Sequence, residues 1–279
     1  MRTKNHRRCS DLNRLIIVEG VPCSGKSTTA KHIAESIKAN FYDEGCGDHP
    51  ADHEFHAFIK SAELSSFSSE EQALIKQKSV QRADGYIVPL GEFRGELFDR
   101  LLQYKIYDFL PWETESPVML DKWSEFVRTA EPHERYVFNC VLLQNPMCET
   151  MMRFGFDTKT SADYISSICE IIAPLEPFVV YLYSGDIRQS IEKAVPERGS
   201  AWLNGVIDYH CNGAYGKAMR LSGFDGYISA LEERQCREIE ILRSLNVRHM
   251  IVNDPQNDWD KAYTEIDREI SSITSISQK

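Results

Sequence analysis

The chain lacks any run approaching the ~20 apolar residues that a membrane-spanning helix requires, so no membrane partner is expected. It lacks a C-x-x-C pair. Its eight cysteines are scattered at 9, 23, 46, 140, 148, 169, 211 and 236, and several fall in expected strands or helices. That pattern reads as reduced thiols, not as a disulfide frame. It also lacks an excess of positive charge. A formal charge of −10 argues against a nucleic-acid partner, although it leaves room for a local basic cleft. The basic head Arg2, Lys4, Arg7 and Arg8 is followed by no apolar stretch, so it is not a secretory signal. Residues 1–10 are read as a disordered basic tail, and the protein as cytoplasmic. Internal repeats and low-complexity tracts are missing too. With 279 residues, 42% of them hydrophobic, the chain can bury one large core carrying an inserted lobe.

What is present begins at Gly20. Residues Gly20, Val21, Pro22, Cys23, Ser24, Gly25, Lys26 and Ser27 fit the phosphate-cradling pattern G-x-x-x-x-G-K-[ST] at each fixed position. The setting matters as much as the match. Residues 15–19 (Leu-Ile-Ile-Val-Glu) have buried-strand character. From Thr28 onward, Ala30, Ile33, Ala34 and Ile37 recur at helical spacing. A strand, a glycine loop and a helix in that order form a nest of N–H groups for polyphosphate oxygens. Lys26 would reach the terminal bridging oxygens, and the Ser27 hydroxyl would sit on Mg2+. Cys23, a thiol near a helix N-terminus, is a candidate for oxidation.

Four further strands are expected, at 40–42, 136–143, 178–183 and 247–252, each closed by polar or glycine residues. Helical patterns at 161–173, 187–194, 227–245 and 259–273 separate them. The alternation predicts an α/β fold: a five-stranded parallel sheet with helices on both faces, its ligands beyond the carboxyl ends of the strands. The segment 45–135 is too long for one crossover. Helical patterns at 53–64, 69–80 and 92–109 make it an inserted, mostly helical lobe.

On the loop Gly20–Thr28, the strand layout and an arginine-bearing stretch after the fourth strand, the chain resembles the P-loop small-molecule kinases. The nucleoside monophosphate kinase-like group, with its thymidylate and deoxynucleoside kinase branch, looks nearest. The resemblance implies ATP and Mg2+ as cofactors and a small-molecule acceptor, a nucleoside, nucleotide, other metabolite or antibiotic. A homodimer is left open. Glu44 looks like the carboxylate that meets the acceptor hydroxyl, with Asp43 as the fallback. Residues 184–226 are similar to a lid, in which Arg188, Lys193 and Arg198 would neutralise developing charge. The loop of Asn253 sits where such kinases hold adenine. One position departs from the family: Asn139 stands where an acid is usual; it could still hydrogen-bond an acceptor or a Mg2+-bound water, and Asp121 is a candidate replacement for the metal.

Two groups stay open. Asp48, His49, Asp52, His53 and His56 form a dense group in which Asp52 and His56, and His49 and His53, could share helix faces, as acceptor-binding groups, as a metal site, or as a plain polar helix start. Histidines there would make activity depend on pH near neutrality. Arg94, in the inserted lobe, pairs with an anionic substrate or with a surface acid. The rival to a kinase is a nucleotide-binding module or switch with little chemistry. A guanine-reading switch would need N-K-x-D on a late strand, and Asn253-Asp254-Pro255 does not supply it.

Overall fold

The structure, a computed structural model, describes residues 13–82 and 84–274; the expected tail at 1–10 lies outside them. In chain order the elements are β1 (Leu15–Gly20), α1 (Lys26–Ile37), β2 (Asn40–Tyr42), β3 (His56–Lys60), α2 (Ser69–Lys78), β4 (Val80–Arg82), β5 (Gly85–Pro89), α3 (Gly95–Leu102), α4 (Ile106–Phe109) and α5 (Trp112–Thr129). There follow β6 (Tyr136–Asn139), α6 (Gln144–Met147), α7 (Thr158–Ile172), β7 (Phe178–Tyr183), α8 (Ile187–Arg198), α9 (Ser200–Asn212), α10 (Ala214–Ala218), α11 (Gly223–Ser244), β8 (Arg248–Asn253) and α12 (Trp259–Thr274). The chain divides into two units, one of residues 1–44 and 129–279, the other of residues 45–128.

The larger unit is built on a parallel sheet in the order β2-β6-β1-β7-β8. Its central strands are buried along almost their whole length because both faces are covered. Ile16 and Val18 of β1 pack with Ala30 and Ile33 of α1 and with Ala262, Ile266 and Ile270 of α12. On the opposite face, the Tyr181 hydroxyl of β7 donates to Glu238 of α11 at 2.6 Å. Helix starts are set by short acids: Asp157 accepts from the Thr160 N–H ahead of α7, and Asp186 from the Gln189 N–H ahead of α8.

The strand expected at 136–143 stops at Asn139. Cys140 takes a left-handed φ of 69°, and the chain then turns. Apolar character alone did not distinguish these turn residues from strand, because they are buried as well. The span expected as a lid, 184–226, consists of α8, α9, α10 and the start of α11.

The smaller unit is mostly helical but also carries an antiparallel sheet in the order β3-β5-β4. The helix expected at 53–64 is instead β3 followed by a short 3-10 turn at Glu63–Ser66. Ala57 and Ile59 pack with Leu64, Ile75, Val88 and Leu101, so strand alternation governs burial there. The Gly-Tyr-Ile-Val-Pro segment forms β5, the middle strand.

Candidate active site

Gly20 closes β1, and α1 starts at Lys26, so the five residues between must turn tightly. Gly20 has φ 146° and Gly25 has φ 93°, values suited to glycine. A Cβ on Gly20 would lie 2.6 Å from the Leu182 carbonyl oxygen; one on Gly25 would lie 2.4 Å from the Trp259 ring. Both substitutions are therefore blocked by shape as well as by φ. The Lys26 ammonium, only 7% exposed, donates to the Val21 carbonyl at 2.8 Å. Among the described residues it has no carboxylate partner, so a buried cation points into the loop uncompensated. The Ser24 hydroxyl is buried and unpartnered in the same loop. A loop with spare donors and an unpaired ammonium is matched to an anion.

Beside it stands an acid that Asn139 connects to the loop. The Asn139 amide, 1% exposed, donates to the Ser27 hydroxyl at 3.0 Å and to the Asp43 carboxylate at 2.6 Å. The Cys140 thiol donates to the Asn139 side-chain oxygen at 3.0 Å, which fixes the direction of that amide. The departure at 139 thus does not leave the site without an acid: the carboxylate comes from the end of β2 rather than from β6. Next to it, the Gln144 amide donates to both oxygens of Glu44, at 3.3 and 3.4 Å. Glu44 itself is exposed.

Sequence reasoning missed Glu19 and Gln144. Glu19 is fully buried and accepts from the N–H groups of Leu142 (2.7 Å), Leu143 (2.9 Å) and Gln144 (3.1 Å). Burial, reinforced by the charge of Glu238 and opposed by those three N–H groups, pushes its carboxyl up to about 7. The available signal was a single acid inside a strand apolar on both faces, which demands N–H partners.

The candidate lid cations differ in their engagement. Arg188 is paired with Asp225 at 2.6 Å, which raises its pKa, and lies over Phe224. Arg198 lies over the Trp202 ring at 5.0 Å, and its charge acts on Cys23 of the phosphate loop. The net effect of burial nonetheless raises the Cys23 thiol, contrary to an activated thiol. Lys193 donates to Gln189 and lines a cavity of about 320 Å³ that Ser24, Ser184, Asp254 and Gln256 also line. Asn253 is exposed at the end of β8 and does not line this cavity; the four residues after it do.

The remaining sequence candidates belong to the smaller unit. His49 and His53 are buried ahead of β3, not on a helix. Burial, with Lys122 next in effect, lowers His49 to about 4 and His53 well below its usual value. They therefore stay neutral near pH 7 and supply no switch there. Among the described residues no group of three or more His, Cys, Asp or Glu is arranged to hold a metal. Asp48 is exposed. Arg94 donates to the Gly91 and Phe93 carbonyls of its own turn. Asp121 lies within α5, not at a strand end, and lines a cavity of about 240 Å³ with Lys60, Arg82 and Asp84. The seven described cysteines are free, and no helix among the described residues is long and apolar enough to cross a membrane.

No protein-family model matches the chain, and no curated protein does. Among solved structures it is similar to deoxyadenosine kinase from M. mycoides with bound dATP, at 14% identity and a TM-score of 0.44, over 92% of this chain and 99% of that one. It is similar to the YorR protein from Bacillus subtilis in complex with phosphorylated GDP, at 12% identity and a TM-score of 0.44, over 94% and 99%. It is also similar to thymidylate kinase from Candida albicans, at 11% identity and a TM-score of 0.41, over 95% and 94%. Parallel sheet order, glycine loop and first helix together give the larger unit a P-loop kinase fold.

Proposed function

We propose that the chain is an ATP- and Mg2+-dependent phosphotransferase that moves the γ-phosphoryl group of ATP to a hydroxyl or phosphate of a small molecule. One observation carries this reading: Lys26, without an acid partner among the described residues, and the Ser27–Asn139–Asp43 chain stand together at the carboxyl end of the sheet. The loop amides and Lys26 would hold the β- and γ-phosphates. The oxygens of Ser27 and Asp43 fit a hard cation whose remaining ligands are phosphate and water, which suits Mg2+ brought in with the nucleotide. Bound there, Mg2+ would neutralise the charge that develops on the phosphate oxygens. Glu44, held by Gln144, would orient the acceptor hydroxyl and take its proton. Of the three candidate lid cations, Arg198 and Lys193 have no carboxylate partner among the described residues and would stabilise the transferring group. Arg188 would first have to leave Asp225. The cavity beside Ser24 would seat the base.

The experiment is MgATP turnover against a panel of hydroxyl- and phosphate-bearing small molecules. Turnover on at least one is expected, with Glu44→Gln lowering kcat far more than it raises the KM for ATP. ATP binding without transfer to any acceptor would favour the binding module instead.

A further inference from the structure

Glu19 occupies a costly position. It pairs with Tyr181 across β1 and β7, on the face that α11 covers, where a carboxylate loses its water entirely. What it receives in exchange is three successive backbone N–H groups, from Leu142, Leu143 and Gln144. Those residues form the turn that follows left-handed Cys140. At one end of the turn, the Asn139 amide holds Ser27 and Asp43. At the other, the Gln144 amide holds Glu44. Gln144 is therefore gripped twice, its main chain by Glu19 and its side chain by Glu44.

We propose that Glu19 is a positioning residue for the acidic wall of the site: its ionised carboxylate fixes the 140–144 turn, and loss of that charge releases Gln144 and with it Glu44. The role of the wall rests on the phosphotransferase reading; the grip on the turn does not. Oε1 accepts two N–H groups and Oε2 one, so a proton goes on at least cost to Oε2, where it faces the Gln144 N–H. The surroundings bring this event near neutral pH. Burial dominates, and Glu238 of α11 adds to it. The Glu238 charge is itself paired with Arg234 at 3.0 Å. Tyr181 of β7 and Cys140 after β6 both stay protonated through burial, and Lys26 at the head of α1 acts on Cys140. Neither the Tyr181 hydroxyl nor the Cys140 thiol gives up its proton near neutrality, whereas the Glu19 carboxyl is pushed up to about 7.

The test follows the amide resonances of Leu142, Leu143 and Gln144 in the nucleotide-free full chain from about pH 5 to about pH 9. The three are expected to move together with one midpoint near 7, Gln144 moving furthest, and Glu19→Gln should abolish the titration. In the same variant, MgATP hydrolysis with water as acceptor should lose about tenfold in kcat, with the KM for ATP held within about twofold. Wild-type amides that stay flat, or that titrate at separate midpoints, overturn the proposal. So does a Glu19→Gln protein with wild-type hydrolysis and an unmoved Gln144 side-chain amide signal. If the wild-type protein neither binds nor hydrolyses MgATP, the nucleotide reading fails, while the amide titration still decides the role of Glu19. The wild-type titration requires no variant to fold.

Discussion

Replacing Asn139 with alanine removes the link between the phosphate loop and its acid. Two hydrogen bonds are lost. The one to the Ser27 hydroxyl at 3.0 Å is neutral and contributes about 1 kcal/mol; the one to the Asp43 carboxylate at 2.6 Å is charge-assisted and contributes about 2 kcal/mol. The Cys140 thiol also loses its acceptor. The expected loss of stability is thus about 3 kcal/mol, or about 6–12 °C in Tm for a unit of this size. The functional effect is separate. Ser27 and Asp43 no longer share a fixed donor, and loss of such an outer partner typically weakens metal affinity about 10–100-fold. Urea unfolding measures the first effect, and the Mg2+ dependence of ATP binding by calorimetry measures the second. An Asn139→Ala protein with wild-type stability and an unchanged Mg2+ half-saturation would refute the reasoning. Asn139→Asp should behave differently. It sets two carboxylates side by side, so it destabilises the apo protein and makes its stability rise more steeply with added Mg2+.

Gly25→Ala meets the Trp259 ring at 2.4 Å and a φ of 93°; it should cost about 1–3 kcal/mol and most ATP affinity, with Trp259→Ala restoring part of the loss in a double variant, as urea unfolding and nucleotide titration would show. His210 is buried with its pKa lowered from 6.5 to about 4, chiefly by burial. Its folded pKa lies below its unfolded one, so its contribution is complete above 6.5 and is lost as pH falls toward 4, about 3 kcal/mol at most. His210→Phe should flatten that part of the stability profile. Glu19 acts with opposite sign, its raised pKa making the native state less stable as pH rises from 4.5 to about 7, so Glu19→Gln should steepen the net rise over the same range. Ile33→Ala, under the sheet with Val18 and Ile266, should cost about 2–5 kcal/mol by urea unfolding and leave the affinity of the residual folded protein for ATP intact.

The sheet was legible because parallel strands buried on both faces write continuous apolar runs, as 15–18 and 178–183 do, and the loop was legible because close backbone approach tolerates few residues at Gly20 and Gly25. The turn at 140–144 was not legible. Its residues are as apolar as the strand before it, and its N–H groups are met by Glu19, more than 120 positions away. The smaller unit misled for a related reason: His53, His56, Ile59 and Leu64 fit a helical spacing, while pairing with β5, which periodicity does not reveal, makes 56–60 a strand. Asn139 read as a missing charge because its partner Asp43 lies 96 positions off, at the end of a three-residue strand.

The proposed function requires the loop from Gly20 to Thr28 to bind a nucleoside triphosphate. Calorimetric titration of a non-hydrolysable ATP analogue with Mg2+ into the wild-type and Lys26→Ala proteins tests it most directly. One site per chain is expected in the wild type, with affinity reduced about 100-fold or more when the buried ammonium is removed. Absence of heat in the wild type, or equal affinity in the two proteins, would contradict it.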